Sequence, residues 1–116
     1  MNQSHAIRAY RATSRYRSQR EQEAEVFRQV NATLTAARNS NPVKRMRALA
    51  DNRRLWMTVH DLMRDNSNQL PDALRAAMVG IGMSVAREMD RESPDFDFLI
   101  AINEHVAGGL SGQPIP

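Results

Sequence analysis

The chain of 116 residues has no cysteine, 41% apolar and 25% charged side chains, and a net charge of +3. Disulfide frameworks, thiolate metal sites and cysteine nucleophiles are thereby excluded, and the composition is that of one modest globular domain rather than a disordered chain. Charge is divided unevenly: residues 1–58 hold twelve Lys or Arg against four acids (+8), and residues 59–116 hold four against nine (−5).

That asymmetry lets the two halves attract each other, or lets the basic half serve an acidic partner or a nucleic acid. The first twenty residues contain five arginines and no apolar run, so they lack the hydrophobic region of a secretory signal. The longest apolar stretch, around Val79 to Ala86, is far too short for the ~30 Å of a bilayer core. A cytoplasmic protein without membrane insertion is expected.

In chain order, Ala6, Ala9, Tyr10 and Thr13 have a weak helical spacing behind a cap at Ser4, which reads as a short helix or a flexible arm. Ser18 to Glu21 reads as a capping box, so the first long helix is expected over about 18–39, with Phe27, Val30, Leu34 and Ala37 on one face. Asn41 and Pro42 give a cap and a first-turn proline for a second helix, 42–65. Its stripe contains Ala48, Leu49, Leu55, Trp56, Val59, Leu62 and Met63.

The polar run Asn66 to Gln69 is a loop, and Pro71 opens a third helix over 71–91. Leu74, Met78, Ile81, Val85 and Met89 form one stripe, while Val79, Met83 and Ala86 add a second apolar side. Such a helix lies at the centre of its bundle or presents its spare side to a partner. Gly80 and Gly82 inside it each cost about 1 kcal/mol relative to alanine, which close helix approach would offset. Ser93 and Pro94 are expected to open a fourth helix, 94–108, bearing Phe96, Leu99, Ile102, Val106 and Leu110 and ended by Gly108 and Gly109. The fold class is all-α, a small bundle of these four helices in one domain, 1–110, followed by a flexible tail, 111–116.

Catalytic chemistry has no foothold. His5, His60 and His105 lack metal-ligand spacing, no glycine-rich loop follows a strand, and the acid pairs Glu21/Glu23 and Asp95/Asp97 point in different directions on a helix. No metal, no cofactor and no enzymatic activity are expected.

Polar side chains on apolar stripes carry more information. Glu23 lies in line with Phe27, Val30 and Leu34 and needs a donor. Asn52 sits among Leu49, Leu55, Trp56 and Val59, and Asn103 among Phe96, Leu99, Val106 and Leu110. Burying an unpaired amide costs about 1 to 3 kcal/mol, so these asparagines either bond one another and fix helix register, or line a groove for a partner's amphipathic helix. Trp56 reads first as a core residue and second as an interface anchor, and Met57, Met63, Met78, Met83 and Met89 read first as gap-fillers of a small core and second as soft, adaptable surface.

Five strings then stand together: Arg20–Ala24 (REQEA), Asp51–Trp56 (DNRRLW), Asn68–Arg75 (NQLPDALR), Phe98–Asn103 (FLIAIN) and Gly109-Leu110. In that order the chain resembles the alphaproteobacterial flagellar biosynthesis regulator FlaF over nearly its whole length. Gln19 departs from the proline-like helix start expected before the Arg-Glu pair. The resemblance implies a role in flagellin production and export through the type III secretion gate, by binding unassembled flagellin as a chaperone, with the regulator FlbT as a further partner. Contacts are expected from Trp56, Met63, Met83 and Leu110 as apolar anchors, with Glu23, Asn52, Arg53 and Asn103 as polar orienters. A regulator binding flagellin mRNA through the arginine-rich N-terminal half, with Tyr10 and Tyr16, is the alternative.

Overall fold

The computed structural model describes residues 2–112, with side chains from Ser4 onward, and the last four residues of the expected tail lie outside the described residues. Within them the chain forms four α-helices and no strand: α1 (Asn2–Ala37), α2 (Pro42–Arg64), α3 (Asp72–Met89) and α4 (Phe96–Leu110). The all-α expectation holds, and the main corrections concern where helices begin.

The largest correction is α1, a single 36-residue helix rather than a short segment followed by one starting at Ser18. No glycine or proline occurs between Asn2 and Ala37, and alanine and arginine are strong helix formers, so nothing interrupts the helix. Ser18 and Glu21 are therefore interior residues, and the capping box is not formed. At α4 the cap is Asp95, whose side chain accepts from the Phe98 amide at 3.1 Å, in place of Ser93. Gly108 and Gly109 continue that helix to Leu110, and the left-handed backbone that glycine favours falls instead at Gly112, φ 75°. Asn41 caps α2 as expected, accepting from the Lys44 amide at 2.9 Å.

The core is built on α1 and α2. Ala24, Phe27, Leu34 and Ala37 of α1 pack with Leu55, Trp56, Val59 and Met63 of α2 and with Leu99, Ile100 and Val106 of α4. Phe27 meets Trp56 edge to face, the ring centres 5.6 Å apart. Helix α4 lies along α1, whereas α3 lies against α2, with no backbone approach of similar extent to α1 or α4. One face of α3 is therefore left without a helical neighbour. Leu74 on one flank of the helix and Val79 and Met83 on the opposite flank stay exposed, while Met78, Val85 and Met89 are buried.

The basic and acidic halves do meet, in the pairs Arg38–Asp97 at 2.7 Å and Arg53–Asp90 at 3.4 Å. Overall extents are 62 × 25 × 24 Å and the radius of gyration is 16.7 Å, against about 13 Å for a compact domain of this length. The excess comes from the first half of α1, where every described residue from Ser4 to Gln19 is exposed.

Candidate partner-binding groove

Because α3 stands off α1 and α4, an open groove of about 770 Å³ runs across α2 between them. Its floor is Phe27, Leu55, Val59, Met63, Met78 and Val106; Val26, Leu62, Leu70, Leu74 and Ile81 rise around it, and Leu110 closes one end. Leu62 and Leu74 are 40% and 46% exposed, more than apolar side chains of this size show in a closed core. Charged and titratable groups come from Tyr16, Arg17, Arg20, Glu21, Glu23 and His105 at the rim, and Thr58 and Ser111 add hydroxyls to the lining. An apolar floor with a polar rim is the form of a site that takes an amphipathic helix.

The α3 flank is held from above by Arg75. Its guanidinium donates to the carbonyl of Met63, at 3.2 Å through Nε and 2.6 Å through Nη2, and to that of Asp65 at 3.2 Å, satisfying the open C-terminal carbonyls of α2. Asp65, turned toward the next loop, accepts from the amide and hydroxyl of Ser67, which holds its carboxyl below the ordinary range. Close approach between α2 and α3 occurs at Gly82, where a Cβ would stand 3.5 Å from the Trp56 ring. At Gly80 nothing lies within 4 Å, so no close approach accounts for that glycine.

Beside this contact lies a smaller groove of about 350 Å³, lined by Met57, Met63, Met78, Met83 and Met89 with Trp56, Gly82 and Arg53. The methionines singled out by their number thus converge on one place. Met57 and Met83 are exposed there, and the other three are buried.

Of the eight candidate contact residues, Glu23, Met63 and Leu110 line the larger groove, and Arg53, Trp56, Met63 and Met83 line the smaller. Asn52 and Asn103 line neither. They are 0% and 1% exposed, and they form an internal relay with Trp56. Trp56 Nε1–H donates to Asn103 Oδ1 at 3.0 Å, Asn103 Nδ2–H donates to Asn52 Oδ1 at 2.8 Å, and Asn52 Nδ2–H donates to Met89 Sδ at 3.3 Å. These bonds tie α4 to α2 and α2 to α3, so of the two readings of the asparagines the register-fixing one describes them, and neither amide is presented to a docking partner. Trp56 is likewise core: 5% exposed, with its indole N–H already bonded.

Glu23 finds its donor three residues back. Arg20 Nη1 bonds both carboxylate oxygens, at 2.7 and 3.0 Å, and the Arg20 guanidinium also stacks 5.0 Å from the centre of the Tyr16 ring. Burial pushes the Glu23 carboxyl above its ordinary value and outweighs the lowering by Arg20. A carboxyl with a raised folded-state pKa binds more protons folded than unfolded, so this group favours the fold below its ordinary pKa and loses that contribution as pH rises through the shifted value.

Arg20, Tyr16, Leu70 and Leu74 were not among the sequence candidates. Arg20 was findable, since it lies three, four and seven residues before Glu23, Ala24 and Phe27, on the buried line of α1. Leu70 and Leu74 were visible as apolar, but which flank of α3 would lack a neighbour is a tertiary fact.

The described residues define a small all-helical protein with an open, largely apolar groove. No curated protein and no solved structure matches the chain. The sequence profile of the flagellar protein FlaF family matches residues 6–110, and the chain belongs to that family of flagellar proteins. No helix among the described residues is long and apolar enough to cross a membrane.

Proposed function

We propose that the protein is a cytoplasmic chaperone of unassembled flagellin that carries out no reaction of its own, seating one amphipathic terminal helix in the groove and releasing it at the export gate. The observation that carries this reading is the open apolar groove between α3 and the α1–α4 pair, rimmed but not floored by charge. Flagellin's terminal segments form long amphipathic helices in the filament and have apolar faces to cover before assembly. Affinity rests on a few anchors, for which Leu62, Leu74 and Leu110 replace the buried Trp56. The resemblance to FlaF adds FlbT as a second partner.

Leu62→Glu and Leu74→Glu test this directly, because both side chains are partly exposed and the helices do not need them to form. Capture of purified flagellin is expected to fall at least about tenfold, the cost of placing a charge in a desolvated groove, with an unchanged circular dichroism spectrum. Undiminished capture by both variants removes the groove from the function.

The runner-up is an RNA-binding regulator of flagellin mRNA, favoured by the exposed basic stretch Arg8, Arg11, Arg15 and Arg17 with Tyr10 and Tyr16. A gel shift across a salt series separates the two, since phosphate-driven binding weakens steeply with salt. The groove, for which that reading has no use, favours the protein partner.

A further inference from the structure

Arg20 is the first buried residue of α1, in line with Ala24 and Phe27, and it lines one end of the larger groove. It is 8% exposed, and its Nε–H is shielded from solvent without any hydrogen-bond acceptor. A buried donor left unpaired is costly, and in a cationic group it is more so.

The rest of the guanidinium is only partly used. Both oxygens of Glu23 meet the same corner, Nη1, at 2.7 and 3.0 Å, and the Tyr16 ring covers a face with its centre 5.0 Å from Cζ. What remains is the edge formed by Nε and Nη2, which no acceptor among the described residues reaches. Arg75, on the α3 side of the groove, shows such an edge filled: it donates through Nε and Nη2 to the Met63 carbonyl, at 3.2 and 2.6 Å.

The groove lining cannot fill the edge of Arg20 from its own side chains. Its carboxylates are Glu21 and Glu23. Glu23 is engaged at Nη1, Glu21 is exposed and turned about 100° further round the helix, and no acid precedes Glu21 in the chain. The acceptor must therefore arrive with whatever fills the groove. Nε and Nη2 present two parallel N–H groups, which a carboxylate matches with its two oxygens. A dianionic phosphate is repelled more than a carboxylate by Glu21 and Glu23 at the same rim.

We infer that Arg20 is the polar anchor of the groove, and that the partner helix carries a carboxylate at one end of its apolar stripe, which bonds the Nε–Nη2 edge as the stripe fills the groove. The carboxylate comes from an acidic side chain or from the partner's own C-terminus. This inference rests on the groove reading and adds to it the group that sets the partner's register.

Four fluorescent amphipathic peptides of about 18 residues with one leucine and alanine stripe are the probes. The neutral peptide has glutamine just past each end of the stripe and an amidated C-terminus. In the others a glutamate replaces the first glutamine, a glutamate replaces the second, or the C-terminus is left as the free carboxylate. Anisotropy with the full chain is expected to show at least one carboxylate peptide binding about tenfold tighter than the neutral one, as a charge-assisted bond in a desolvated site provides. Which peptide gains identifies the source of the carboxylate. The gain is expected to persist at raised salt, because a shielded pair is screened less than one at the exposed rim. In Arg20→Gln the ratio of the two affinities is expected to fall to about one. Because Arg20 is buried, a second readout leaves the chain intact: its Nε–H resonance is expected to move on addition of the gaining peptide and not of the neutral one.

No gain in any of the three carboxylate peptides overturns the inference. A gain that survives Arg20→Gln, or that vanishes with salt, overturns it too, as does an unmoved Nε–H resonance. Should all four peptides bind alike and all be lost with Leu74→Glu, the groove stands and its anchor falls. Should none bind and Leu74→Glu leave flagellin capture intact, the groove reading itself has failed and the anchor with it.

Discussion

The two halves of α1 are the same helix in two environments. From Arg20 to Ala37 its repeat is packed under α2 and α4, bonded through Asn31 to the Ile100 carbonyl at 3.1 Å, and closed by the Arg38–Asp97 pair. From Ser4 to Gln19 the repeat persists with smaller side chains, and no other element touches it at comparable extent. The difference teaches that helical spacing decides which residues share a line, whereas burial depends on whether the fold supplies a neighbour. Here the fold runs out of helices before α1 runs out of length.

Removing the centre of the packed half is the strongest way to break the contrast. Trp56→Ala deletes the ring that meets Phe27 and covers Gly82 and leaves Asn103 Oδ1 without its indole donor, so a loss of about 4 kcal/mol is expected in denaturant unfolding. A small domain scarcely tolerates this, and the variant therefore reports on the core and not on partner contact. Asn103→Ala is the next step. It strands the Trp56 N–H and the Asn52 Oδ1 together, and a loss of about 2 kcal/mol is expected by the same measurement.

Truncating the chain before Tyr16 lies at the other extreme, with an expected change below about 0.5 kcal/mol, because every described side chain from Ser4 to Arg15 is exposed. A large destabilisation on truncation would mean that the arm folds back in solution, and the comparison between the halves would fail.

Much of this architecture was legible in the sequence. The second helix was fixed by Asn41 and Pro42 at one end, and the loop after it by the polar run Asn66 to Gln69, because capping and turn chemistry are local. The start of α1 was misplaced because Ser18 and Glu21 have the composition of a capping box inside an uninterrupted helix, and composition alone does not say whether the backbone leaves the helix there. Gly108 and Gly109 misled in the same way at α4.

The groove was half legible. The second apolar side of α3, Val79, Met83 and Ala86, predicted uncovered surface, and these residues are exposed along the smaller groove. Asn52 and Asn103 could not be assigned between interior and interface, since their pairing joins residues fifty-one apart in the chain. Leu62 and Leu74 became candidates only once the absence of close packing between α1 and α3 was known.

The continuity of α1 has a mechanical consequence. With no glycine or proline from Asn2 to Ala37, there is no hinge between tip and base. A load applied to the free end is therefore carried as a lever into the seam that α1 shares with α4, instead of being absorbed on the way. Whatever grips the tip also pulls on the wall of the groove.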